Sequence, residues 1–158
     1  GLETMAGNDA LKNLVSLQLG SNRGVEDKGM KALFERSEWA LKELDLSNTQ
    51  VGDATVVALT QSSRAHNLER LNLNNLPKVT DRALRAIWES PMVASLRFLF
   101  LGHTSITDAT AHMIAASPHL RHFGFIWLRS THISQHGQDV LLGSEFLDHP
   151  GRVVSFGA

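Results

Sequence analysis

The 158-residue chain contains no cysteine. Disulfide staples, thiol nucleophiles and zinc sites built on thiolates are therefore excluded. A cysteine-free composition also fits a reducing compartment, so the expected location is intracellular, either cytoplasmic or nuclear. Charge of one sign is not in excess. The formal net charge is −1, which argues against a dedicated nucleic-acid binder and against a polybasic membrane-binding surface. No apolar run approaches the roughly 18 residues of a membrane span. No signal peptide is visible, and the chain opens on Gly1-Leu2 instead of methionine, so a longer native chain is expected. There is no glycine-rich phosphate loop, no HExxH and no GxSxG. Catalysis is not expected, and no cofactor is. Charged residues make up 20 % and apolar ones 42 %, a balance that lets a chain of this length fold as one domain without marked disorder.

What is present is a pattern. Residues 41–59 read LKELDLSNTQVGDATVVAL. In the first half, Leu44 and Leu46 alternate with Glu43, Asp45 and Ser47, as a short half-buried strand requires. In the second half the period changes, with Val56 and Leu59 three apart, as on a helix. One strand–turn–helix unit cannot bury its own apolar face and needs copies of itself on either side. The copies exist. LVSLQL begins at Leu14, LKELDL at Leu41, LERLNL at Leu68, LRFLFL at Leu96 and LRHFGF at Leu120, in steps of 27, 27, 28 and 24 residues. The helical halves recur as VEDKGMKAL, VGDATVVAL, VTDRALRAI and ITDATAHMI.

These units resemble leucine-rich repeats, and their length and V-x-D-x-x-x-x-x-L/I half are similar to the ribonuclease-inhibitor and F-box-associated types. The resemblance covers roughly residues 11–143. It implies an α/β solenoid, an arc or horseshoe with a parallel sheet on the concave side and helices on the convex side. Residues 1–158 would form a single repeat domain, with a terminal strand at 152–156 whose Val154 and Phe156 point inward. The family fold serves many partners and does not by itself specify one.

Helices are predicted at about 27–36, 53–63, 81–90, 108–116 and 134–143, with Asn8 or Asp9 capping a further short helix that carries Leu11. Asp27, Asp53, Asp81 and Asp108 read as helix-start residues beside hydroxyl caps such as Thr80 and Thr107. Asn22 is expected to bond the turn backbone inside the curve, with Thr49 and Thr104 doing part of that work in later repeats. Gly137 weakens the last helix by roughly 1 kcal/mol relative to alanine. Trp39 and Trp88 are placed near helix ends. The pairs His119/His122 and His132/His136 have ligand-like spacing but no clear third ligand, so no metal site is expected.

The residues between the leucines should project from the concave face in contiguous columns, since strands lie about 4.8 Å apart. One column runs Ser16, Glu43, Arg70, Phe98, His122. The next runs Gln18, Asp45, Asn72, Phe100, Gly124, and the third Gly20, Ser47, Asn74, Gly102, Ile126. The amino-terminal part is polar, with Glu43 facing Arg70. The later part gathers Phe98, Phe100, Ile126 and Trp127 on the outward side, rimmed by His103, His122 and Arg129. An outward aromatic cluster is a natural contact site. The candidate binding residues are therefore Glu43, Asp45, Arg70, Asn72, Phe98, Phe100, His122, Ile126 and Trp127. Three occupants remain open for the aromatic patch. They are a protein partner, a neighbouring domain or second copy meeting it through Phe98 and Phe100, and the chain's own carboxy-terminal tail. The function expected is protein–protein interaction, with neither nucleic acid nor membrane as partner. An assembly arm of a larger complex is the alternative. Substrate recognition for a ubiquitin ligase is implied only by the F-box-associated resemblance, and no F-box is visible.

Overall fold

A computed structural model describes residues 2–6, 8, 13–36, 39–147 and 154–157. The leucine pattern becomes a six-stranded parallel sheet in strict chain order. Its strands are β1 (Ser16–Gln18), β2 (Glu43–Asp45), β3 (Arg70–Asn72), β4 (Phe98–Phe100), β5 (Phe125–Trp127) and β6 (Val154–Ser155). Each is short because only one residue per strand, at the middle position, must turn inward before the chain bends away. Those central residues, Leu17, Leu44, Leu71, Leu99 and Ile126, sit in register and are buried. Val154 continues the row beside Ile126.

The helices are α1 (Leu2–Ala6), α2 (Asp27–Arg36), α3 (Asp53–Gln61), α4 (Asp81–Glu89), α5 (Asp108–Ala115) and α6 (Gln135–Leu142). They lie on the other side of the leucine layer, which is the solenoid architecture expected from the repeats. Met30, Leu33, Val56, Leu59, Leu84, Ile87 and Ile114 close the core against the strand leucines, all at most 3 % exposed. Of the helix expected from Asn8 or Asp9 into Leu11, all but Asn8 falls outside the described residues, as do residues 152 and 153 of the expected terminal strand. The short amino-terminal helix that is described, α1, precedes Asn8 and packs Leu2 against Gly29 of α2.

Each of β1 to β5 leads into a turn whose apex has positive φ: Ser21, Asn48, Asn75, His103 and Ser130. One residue later the side chain bonds back to the strand's last leucine. Asn22 donates to Leu19 O at 2.9 Å. Thr49, Thr104 and Thr131 donate to the carbonyls of Leu46, Leu101 and Leu128. A hydroxyl thus replaces the amide at the same place, and in the third repeat Leu76 fills it as a buried apolar residue.

The helix-start aspartates do more than start helices. Asp27 accepts from the Gly52 and Thr55 amides and from the Thr55 hydroxyl. Asp53 accepts from the Thr80 amide and hydroxyl, both at 2.7 Å. Asp81 accepts from the amides and hydroxyls of Thr107 and Thr110, and Asp108 from the Ser134 amide and hydroxyl. Each carboxylate reaches the next repeat's helix start, while Thr80, Thr107 and Ser134 cap their own helices. The four aspartates therefore rivet successive repeats together. Burial tends to push the Asp81 carboxyl up, but the hydrogen bonds from Thr107 and Thr110 outweigh it and hold Asp81 below the usual carboxylate range. The Ser134 hydrogen bonds, helped by His136 and His112, lower Asp108 likewise. Gly137 is part of this joint: a Cβ there would stand 2.2 Å from Asp108 Oδ1, so helix propensity gives way to the rivet.

The fifth repeat departs from the register read off LRHFGF. Its strand begins after Phe123, not after Leu120, so the step from Leu96 is 27 residues instead of 24. The reason lies upstream. Pro118 opens a 3-10 turn over Pro118–His122, as Pro91 opens one over Pro91–Ala94 in the repeat before. Leu120 therefore matches Val93, buried inside that turn, and Phe123 matches Leu96. Trp88, half-buried at the end of α4, stacks on Phe123 with ring centroids 5.6 Å apart, while Trp39 is buried outright.

Candidate functional site

The concave face follows from the strand register. Its first outward column is Ser16, Glu43, Arg70, Phe98, Phe125 and its second Gln18, Asp45, Asn72, Phe100, Trp127. Three expected members leave it. Gly124 lies just before β5, and Trp127 takes its place beside Phe100. Ile126 is the central residue of β5, pairs with Leu99 and is 0 % exposed, so it belongs to the core. His122 closes the 3-10 turn before the strand and does not stand on the sheet. It is exposed near the lip. Phe125 takes the place assigned to His122 and is the residue that the leucine count missed.

The amino-terminal half of the face is polar and bonded to itself. Ser16 donates to Glu43 at 3.3 Å, and Glu43 approaches the Arg70 guanidinium at 3.7 Å. Arg70 and Glu43 are 42 % and 45 % exposed, so this pair contributes at most about 1 kcal/mol. Asp45 receives the Ser47 amide at 2.8 Å and the Asn72 side-chain amide at 3.0 Å. Asn72 in turn accepts the Asn74 amide, and Asn74 accepts the Gly102 amide at 2.7 Å. Side chains thus tie each strand to the next along the surface.

From β4 onward the same positions carry rings. Phe100 and Phe125 meet at 6.0 Å and a 55° tilt, Phe125 and Trp127 at 5.9 Å and 38°, which are favourable aromatic geometries. All four aromatics, Phe98 included, are half-buried. Gly102 makes room for them, while Gly124 lies at ordinary contact distance. A Cβ on Gly102 would stand 2.9 Å from the Trp127 indole nitrogen, and one on Gly124 would be 3.4 Å from the Phe98 ring. The Arg70 guanidinium joins the two halves, lying 4.4 Å from the Phe98 ring centroid and 5.9 Å from that of Phe100, within cation–π range. The described part of the tail, 154–157, extends the sheet beside β5, with Ser155 next to Trp127.

Nothing else converges. Among the described residues no group of three or more histidines and carboxylates is placed to hold a metal ion. His119 and His122 share one 3-10 turn. A cleft of about 450 Å³ lies along the strand-to-helix turns, lined by residues from three repeats, among them Ser21, Asn48 and Asn75. It repeats with the turns and gathers no acid–base pair. No described helix is long and apolar enough to cross a membrane.

A family model described as Leucine Rich repeat matches residues 10–34 and 41–59. The matched segments contain β1 with most of α2 and β2 with most of α3, that is, the first two units of the polar half. No curated protein matches the chain. The chain thus carries a leucine-rich repeat region within a six-strand solenoid of that architecture. Such a fold generally works as a protein-binding module.

Proposed function

We propose that this protein is a non-catalytic recognition module that binds a protein partner through its concave face. Phe98, Phe100, Phe125 and Trp127 form the anchor, and Glu43, Asp45, Arg70 and Asn72 form the adjoining polar strip. The observation that carries this reading is the contiguous aromatic surface on β4 and β5, positioned outward while Leu99 and Ile126 fill the core beneath. Large rings set on a rigid sheet lose little freedom on binding, which favours their use as anchors. Substrate recruitment to a ubiquitin ligase would be one instance of such recognition, and no residue of the chain singles it out.

The test is solution mass by light scattering over a concentration series, for the wild type and for Phe98→Ser combined with Phe100→Ser. The expected result is a monomer in both forms with unchanged circular dichroism, leaving the aromatic face free for a different protein. A concentration-dependent dimer that the double variant abolishes would instead assign the face to self-assembly and overturn recruitment.

A further inference from the structure

The concave face loses its carboxylates along the arc, from Glu43 and Asp45 on β2 to Phe98, Phe100, Phe125 and Trp127 on β4 and β5. Its carboxylates, Glu43 and Asp45, belong to the polar half, and each has an internal partner: Arg70 and Asn72 respectively. Among the described residues beyond β3 the outward columns carry no carboxylate. Between residues 91 and 132 the sequence has three arginines and five histidines against one carboxylate, Asp108. That carboxylate is committed to Ser134 at the helix starts and does not belong to the outward columns of the sheet.

Two guanidinium groups flank the aromatics. Arg70 is 42 % exposed and held by a single long contact to Glu43, with its cation already oriented over Phe98. Arg129 follows Leu128 in the position that Gly102 holds after Leu101. It is exposed, and its stem packs beside Gly157. Resting on the recognition reading above, we propose that the partner presents an acidic peptide segment with a large apolar side chain. The apolar group seats on Phe100, Phe125 and Trp127, and flanking carboxylates reach Arg70 and Arg129. The planar guanidinium fork suits a carboxylate, and the exchange costs Arg70 only a solvated pair. Stacked bases would also fit rings beside arginines. A phosphate backbone, however, has just two outward arginines to follow here, and the other half of the face is acidic, so a peptide is the better match.

The experiment begins by panning a random dodecapeptide display library on the intact chain. The affinity of the most enriched peptide is then measured by fluorescence anisotropy against wild type, Arg129→Glu and Arg129→Lys. Expected are enriched sequences with net negative charge and at least one aromatic or long aliphatic residue. Their affinity should fall roughly tenfold or more in Arg129→Glu, stay within about threefold in Arg129→Lys, and weaken as salt is raised. Enriched peptides that are neutral or basic, yet lost in a Phe100→Ser, Trp127→Ser double variant, would overturn the acidic partner and keep recognition by this face. Absence of enrichment over the bare support would count against the recognition reading as well. A labelled single-stranded RNA dodecamer of mixed sequence that binds wild type more tightly than the best peptide would overturn the peptide assignment in favour of nucleic acid.

Discussion

The two halves of the concave face share one backbone and one register but treat their outward side chains in opposite ways. On β1 to β3 the polar groups satisfy each other, so that Asp45, Asn72 and Asn74 form a chain of hydrogen bonds ending on the Gly102 amide. On β4 and β5, Phe100, Phe125 and Trp127 touch in turn and Arg70 lies over Phe98 and Phe100, but the four half-buried rings leave apolar surface in water. The polar half therefore resembles surface that finishes a fold. The aromatic half holds apolar area that a partner can still bury, at roughly 25 cal/mol per Å² removed from water. The sheet does not need rings there for its own packing, because Leu99 and Ile126 already supply the inward contacts.

The sharpest way to break this comparison is to cross the sheet at β5. Ile126→Ala should cost about 3–4 kcal/mol in urea denaturation, as a buried large-to-small change does. Trp127→Ser, one residue away and outward, should cost about 1 kcal/mol or less beyond its lost ring contacts. Equal losses would mean that the rings are core after all. Next in size, Asp81→Ala removes the acceptor for two amides and two hydroxyls joining the third and fourth repeats. It should destabilise by about 2–3 kcal/mol without changing the concave face. The pH dependence follows from the same rivet. With its carboxyl held below the usual range in the fold, Asp81 contributes stability that is fully present above the unfolded value of about 3.9 and is lost as pH falls through the folded value. Asp108 acts in the same direction. Acid titration of stability should therefore be shallower in Asp81→Asn than in wild type, and an unchanged acid limb would contradict the role given to this carboxylate. Within the polar half, Asn74→Ala should cost about 1 kcal/mol, since it strips the acceptor from the Gly102 amide under Trp127. The smallest effect is expected at the turn apex. His103 has φ 56°, so His103→Gly should be stabilising or neutral by less than about 1 kcal/mol in thermal unfolding.

The solenoid, its strand order and five of its helices within a few residues were legible from LxxLxL and the valine–aspartate half, because both periods are dictated by burial. Three things were not. The register of the fifth repeat was lost because LRHFGF offers aromatics where the eye looks for leucines. The usable signal was the Pro118 and Pro91 pair, each five residues ahead of its repeat's first inward residue, Phe123 and Leu96. Counting from proline would have placed Phe125 outward and Ile126 inward. The aspartates were recognised at helix starts, yet their partners lie 25 to 29 residues away, a distance only the stacked fold closes. Gly137 read as a helix flaw because the Asp108 carboxylate pressing on it belongs to the preceding repeat. Of the candidate contact residues, Glu43, Asp45, Arg70, Asn72, Phe98, Phe100 and Trp127 do stand on the outward columns. That placement is geometric, and their role in binding is the proposal made above.

The central claim is that the aromatic half, and not the polar half, holds a partner. The most direct measurement compares one selected peptide on two double variants of the intact chain, Phe100→Ser with Trp127→Ser and Glu43→Ala with Asp45→Ala, each first confirmed to be folded by circular dichroism. The account predicts that the aromatic double variant loses binding by roughly two orders of magnitude, the effect of removing two anchor rings, while the acidic double variant stays within about threefold. The opposite ranking, or equal losses in both, would contradict it.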